Sequence, residues 1–278
     1  MPAFTTLDPI TASVTTAGAR VRIAASERPD TVVRVEPIDS ASASDVKVAE
    51  NTEVGFSAGA LSVTTTKSGD RNASVAITIE LPAGSRLVLN TAWTDVHADG
   101  PLGDCELNIA SGPVRLDHTA TLRAGLAAGS VEIGHVTGNA TIDGGAAGIR
   151  LGEITGIVRY QGSTGKVWIG HAHSDLDLGG AGGSVDIDTA EGSVTVTAGD
   201  CPIRIGRLTR GQAELVNASG GIEIGISDGT AATVDATSTK GAVRNSLPAQ
   251  DNPGKFADKV TVHARTRLGD IALHPAAA

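Results

Sequence analysis

The sequence predicts an all-β chain, a β-solenoid with two short strands per coil of about 18 residues and a β cap at its N-terminal end. Three observations predict it. First, β-branched residues stand third in a repeated five-residue unit, at positions 114, 131, 149, 167, 185, 203 and 222, in steps of 17, 18, 18, 18, 18 and 19. Second, a series at Leu122, Ala140, Val158, Leu176, Val194, Ala213 and Val234 runs nine residues ahead of its partners. Third, both series alternate apolar and polar residues with a period of two, which puts one face inward and one outward. A helical pattern cannot repeat in this way.

Each element follows from these patterns. Stacked coils place equivalent strands ~4.8 Å apart, so Val114, Val131, Ile149, Val167, Val185, Ile203 and Ile222 form one inward column. Leu116, Ile133, Leu151, Ile169, Ile187, Ile205 and Ile224 form a second. One coil alone cannot bury its apolar face; the stack can, and stability becomes a sum over neighbouring coils. Val243 and then Ile271 continue the first series in chain order. The outward column reads Arg115, Glu132, Arg150, Trp168, Asp186, Arg204, Glu223 and Arg244. Five of its seven adjacent pairs are opposite in sign and none is alike, as cross-strand pairing favours by ~0.2–1 kcal/mol per pair. Glycines recur after the first strand at 134, 152, 170, 206 and 225, where turns need close backbone approach or positive φ.

Residues 1–83 keep the period less well and read as the β cap, continuous with the solenoid that occupies 84–278. Strands are expected at Arg20–Ala25, Thr31–Glu36, Leu61–Thr66 and Ala73–Leu81, with room for a short helix around Ala43–Ala49. A cap answers the need to cover an open sheet end. A loop insertion at 247–258, carrying Pro248 and Pro253, interrupts the period near the other end.

Composition narrows the function. The chain has 278 residues with 35 glycines, 2% aromatics and a net charge of −9. An acidic chain lacks the basic face of a nucleic-acid binder. No apolar run approaches the ~20 residues of a membrane helix, and the first residues show no secretory signal. Cys105 and Cys201 stand five or more coils apart, roughly 24 Å against the ~5.5 Å a disulfide needs. Both are expected to be buried free thiols, which suits a reducing compartment.

The repeated units Gly129-Ser-Val131-Glu-Ile133-Gly134 and Gly220-Gly-Ile222-Glu-Ile224-Gly225 resemble those of a bacterial family of β-strand-repeat proteins of unknown function, labelled "putative adhesins". The segments at 25–33, 80–85, 241–247 and 262–271 resemble it too. The resemblance covers nearly the whole chain. It implies the repeat fold and brings no catalytic residues with it.

Four residues at position +4 of the first strand form the one candidate constellation: His118, His135, Glu153 and His171, with Thr189 and Arg207 continuing the column. His135, Glu153 and His171 are the candidates for a divalent metal; the four together are the candidates for acid–base catalysis. The alternative is a solvated polar turn edge. His173, Asp175 and Asp177 lie nearby in sequence. Calcium-binding nonapeptides of the Gly-Gly-x-Gly-x-Asp type are approached only at Gly179–Val185, where Ser184 takes the place of the Asp. Trp168, outward among charges, is the candidate interaction residue, either an interface anchor or a ring packed on Arg150. No cofactor is called for.

The sequence therefore favours a non-enzymatic intracellular scaffold or protein-interaction module, with a protein partner or self-association and no nucleic acid or membrane. An enzyme or metal-dependent binder using the His/Glu edge is the alternative. Surface adhesion is a third reading and requires export.

Overall fold

The computed structural model describes residues 2–65, 74–249 and 256–277. The ends of two expected strands, Thr66 and Ala73, and the middle half of the 247–258 insertion, residues 250–255, lie outside the described residues. The fold is an all-β solenoid of parallel coils in which the inward columns hold the core. The chain divides into two compact units, Met1–Thr137 and Gly138–Ala278.

In the first unit the coils run parallel, but not in chain order. Thr11–Ala17 pairs on one side with Ala60–Thr64 and on the other with Arg86–Ala92. Ala19–Ser26 lies likewise between Val75–Pro82 and the first part of Asp95–Ile109. Pro113–Leu126 and Ser130–Val136 complete the stack. The register aligns Ile77, Val21, Val96, Val114 and Val131, each 1% exposed or less. Burying a side chain of this kind fully contributes roughly 1.5–3 kcal/mol, so the alternating pattern of the sequence fixes the register: a one-residue slip would turn the column outward.

The outermost coil of this unit is covered. Asp30–Pro37 adds antiparallel to Val75–Pro82, Ala3–Thr5 adds to Asp30–Pro37, and Glu53–Ser57 adds antiparallel to Ala60–Thr64. A helix at Ala43–Glu50 sits in this cover; Ser42 caps it, its hydroxyl accepting from the Asp45 amide. Close approach explains the glycine at 129. Its φ is +99°, and a Cβ there would stand 2.3 Å from the Gly112 carbonyl oxygen of the coil below.

In the second unit the coils from Ala140 to Ile226 stack in chain order with the expected register. Ile149, Val167, Val185, Ile203 and Ile222 are consecutive partners. The end of the stack departs from the sequence reading. The strands Asp258–Leu268 and Ile271–Pro275 lie between the Gly211–Ile226 coil and the coil Thr230–Asn245. Ile271, not Val243, is the neighbour of Ile222.

The charge column changes accordingly. Ala272 separates Glu223 from Arg244, Glu223 accepts from His274 Nε2 at 3.1 Å, and Arg244 pairs with Asp270 at 3.1 Å. The reason is apolar content. Val262, Ala264, Ile271 and Leu273 are 1% exposed or less, whereas Val243 in the outermost coil is 44% exposed. The stack buries its more apolar coil between two others and leaves the poorer one outside.

Tyr160 fills an inward position between Ile142 and Leu178. Three glycines make room for it: a Cβ at Gly144 or Gly162 would overlap its ring or hydroxyl, and one at Gly165 would crowd the hydroxyl. Among the described residues no helix is long and apolar enough to cross a membrane.

Candidate functional site

Parallel stacking brings residues one coil apart into contact wherever their strands stay in register. At position +4 it does so twice. In the first unit His118 and His135 are register partners with rings stacked at 5.4 Å, and His118 Nδ1 lies 3.2 Å from Asp117. In the second unit Glu153, His171, Thr189 and Arg207 are successive partners, as the sequence spacing requires.

The second unit adds two residues from the following turn. The His173 amide donates to the Ile154 carbonyl at 3.0 Å and the Glu191 amide to the Ala172 carbonyl at 2.9 Å. Each backbone link holds a +6 residue above the +4 residue of the coil below. His173 Nε2 is then 2.9 Å from Glu153 Oε1, and His171 Nε2 is 2.9 Å from Glu191 Oε1. His173 Nδ1 is 3.4 Å from the other Glu191 oxygen, and the two imidazoles touch at 4.0 Å between centroids. Arg210 Nη2 stands 3.6 Å from Glu191.

The electrostatics follow. The Glu153 carboxylate, with Glu191 behind it, raises the His173 pKa above the ordinary imidazole value. Hydrogen bonds from His171 and then His173 hold Glu191 below the usual carboxylate range. All four side chains are half-buried, between 31% and 47% exposed. Two imidazoles and two carboxylates so arranged can share protons or bind a divalent cation. Glu153, His171 and His173 each bring a donor atom within 4.8 Å of the others. A groove of about 550 Å³ adjoins the cluster, bordered by His171, Thr189, Glu191, Arg207, Thr209 and Ser227.

His173 and Glu191 complete this cluster, and only His173 was near the sequence candidates. The signal for Glu191 is a spacing of 20, one coil plus two residues, which separates both His171 from Glu191 and Glu153 from His173. Asp175 stands apart from them, accepting from the Ser193 amide at 2.8 Å. Trp168 is half-buried, with the Arg150 guanidinium 4.2 Å above its ring. Cys105 and Cys201 are both free and buried. Burial pushes the Cys105 thiol up to about 11 and raises Cys201 as well.

Two solved structures are similar to this chain along nearly its whole length. One is described as a putative cell adhesion protein from Clostridium sporogenes, 9% identical over 99% of this chain and 98% of its own, with a TM-score of 0.20. The other is described as a putative adhesin from Parabacteroides merdae, 11% identical over 98% and 94%, with a TM-score of 0.34. No curated protein matches the chain. The family described as Toastrack DUF4097 matches residues 12–274, and with the coil period, the inward columns and the glycine turns on the same span, the chain belongs to that family.

Proposed function

We propose that this chain is a non-enzymatic scaffold that works inside the cell and associates with a second copy of itself. One observation carries the reading. The inward columns of the second unit end on a coil left partly open: Val243 is 44% exposed and Val234 half-buried, while Ile271 in the coil beneath is 0% exposed. Among the described residues no strand pairs with the outer side of Thr233–Lys240 or of Val243–Asn245.

The first unit suggests what fits there. Its outermost coil is covered by antiparallel strands, Asp30–Pro37 and Glu53–Ser57. A second copy approaching about a two-fold axis would present its own Thr233–Lys240 strand antiparallel to the first, a self-complementary arrangement. Exposed strand edges are where such association occurs. The intracellular part of the reading fits a fold whose described residues use no disulfide, with Cys105 and Cys201 free and buried.

Sedimentation of the full chain tests the association. A dimer at micromolar concentration is expected, shifted to monomer by Val243→Asp with circular dichroism unchanged. Wild-type protein that stays monomeric at the highest soluble concentration would overturn it. Cell fractionation tests the location: recovery from the surface fraction would favour the adhesive role named for the solved relatives.

A further inference from the structure

We infer that Glu153, His171 and His173 form a site for one divalent transition-metal ion, with Glu191 as the outer partner that orients His173. The proposal goes beyond the scaffold reading and does not depend on it, since the cluster lies on a turn edge and the open coil lies at the end of the stack.

The donor set points to the class of ion. Two imidazole nitrogens and a carboxylate suit zinc and its late first-row neighbours, whereas calcium and magnesium take oxygen ligands almost exclusively. Three protein ligands would leave the fourth tetrahedral position to water.

The distances are those of a site that needs only side-chain adjustment. Donors around a tetrahedral zinc at ~2.1 Å stand ~3.4 Å from one another. Each of the three residues offers a donor atom within 4.8 Å of the others, and His173 Nε2 stands 2.9 Å from Glu153 Oε1. Movements of about 1 Å by flexible side chains close the difference. The backbone beneath is already fixed. Glu153 and His171 occupy register positions of adjacent parallel strands, and the His173 amide is bonded to Ile154 of the coil below.

The surroundings match what a ligating histidine needs. A metal-bound imidazole commonly donates its second ring N–H to a carboxylate, which sets the tautomer and the ring direction. Glu191 Oε2 stands 3.4 Å from His173 Nδ1 on the side away from Glu153, and Arg210 stands 3.6 Å from the same carboxylate. His171 exchanges its contact with Glu191 for the metal. His135 and His118, which pair with each other in the first unit, are not required.

The test uses full-length protein without a polyhistidine tag. Calorimetric titration with zinc should show one equivalent bound, and cobalt should give the visible absorption of a tetrahedral nitrogen–oxygen site, abolished by added zinc. His171→Ala and His173→Ala should each weaken binding by more than 100-fold, on the order of the largest outer-partner effects or above, and Glu191→Gln by about 10–100-fold. His118→Ala should leave binding unchanged. Zinc-edge X-ray absorption of the wild-type complex reads two imidazoles directly and needs no variant to fold. Folded wild-type protein that binds no zinc, undiminished binding by a folded His171→Ala/His173→Ala double variant, or a spectrum without imidazole would each overturn the proposal.

Discussion

Ile271 lies directly against Ile222, displacing Val243 outward although Val243 comes first in the chain. The last strands of the protein thus hold a place inside the stack, hydrogen-bonded on both sides. The first unit does the same with its early strands, since Thr11–Ala17 and Ala19–Ser26 lie between coils that follow them in sequence. A coil with neighbours above and below cannot fray from the end.

The two positions should therefore respond differently to truncation. Ile271→Ala removes a side chain that is 0% exposed and should cost about 2–5 kcal/mol in urea unfolding. Val243→Ala, at 44% exposure, should cost less than about 1 kcal/mol. Equal costs would place the two coils in equivalent positions.

Glycine positions separate in the same way. Gly129→Ala combines a φ of +99° with a Cβ 2.3 Å from a backbone oxygen and should lose roughly 1–3 kcal/mol or more. Gly148 meets nothing within 4 Å and has no left-handed φ. Gly148→Ala should be neutral or stabilising by up to about 1 kcal/mol. Thermal melting of the two variants decides it, and a stable Gly129→Ala protein would contradict the close coil contact.

Trp168 and Arg150 occupy successive places in the outward column with the guanidinium 4.2 Å above the ring. A double-mutant cycle with Trp168→Ala and Arg150→Ala should return a coupling of about 0.5–1 kcal/mol. A coupling near zero, together with loss of self-association in Trp168→Ala, would make the ring an interface anchor instead.

Asp235 is bonded to Arg265, with His263 Nδ1 at 3.6 Å, and its pKa lies below the ordinary carboxylate value. A carboxyl lowered in the folded state contributes stability above its unfolded pKa and loses it as pH falls through the folded one. Carbon-detected NMR titration should find the Asp235 midpoint below the usual ~3.9, and Arg265→Gln should bring it back. An unshifted midpoint in the wild type would mean that the exposed Asp235–Arg265 pair does not persist in solution.

Much of this was legible in advance for a physical reason. Parallel coils of constant length translate sequence period directly into contact, so Val167 beside Val185 and Asp186 beside Arg204 follow from a spacing of 18. The order of the last two coils does not follow, because Val243 and Ile271 both satisfy the pattern and only their relative apolar content separates them. The site was half legible for a similar cause. Glu153 and His171 obey the strand register, but Glu191 meets the histidines through a turn, where the contact runs one coil plus two residues ahead.

Stack order is the claim on which these expectations rest, and cysteine pairing measures it directly. In a Cys105→Ala/Cys201→Ala background, Glu223→Cys with Ala272→Cys places two thiols on adjacent strands ~4.8 Å apart, within the ~4.4–6.8 Å Cα range of a disulfide. Glu223→Cys with Arg244→Cys places them two strands apart, about 9.6 Å, beyond that range. Mild oxidation should cross-link the first pair and leave the second reduced; the reverse result would contradict the intercalated terminal coil.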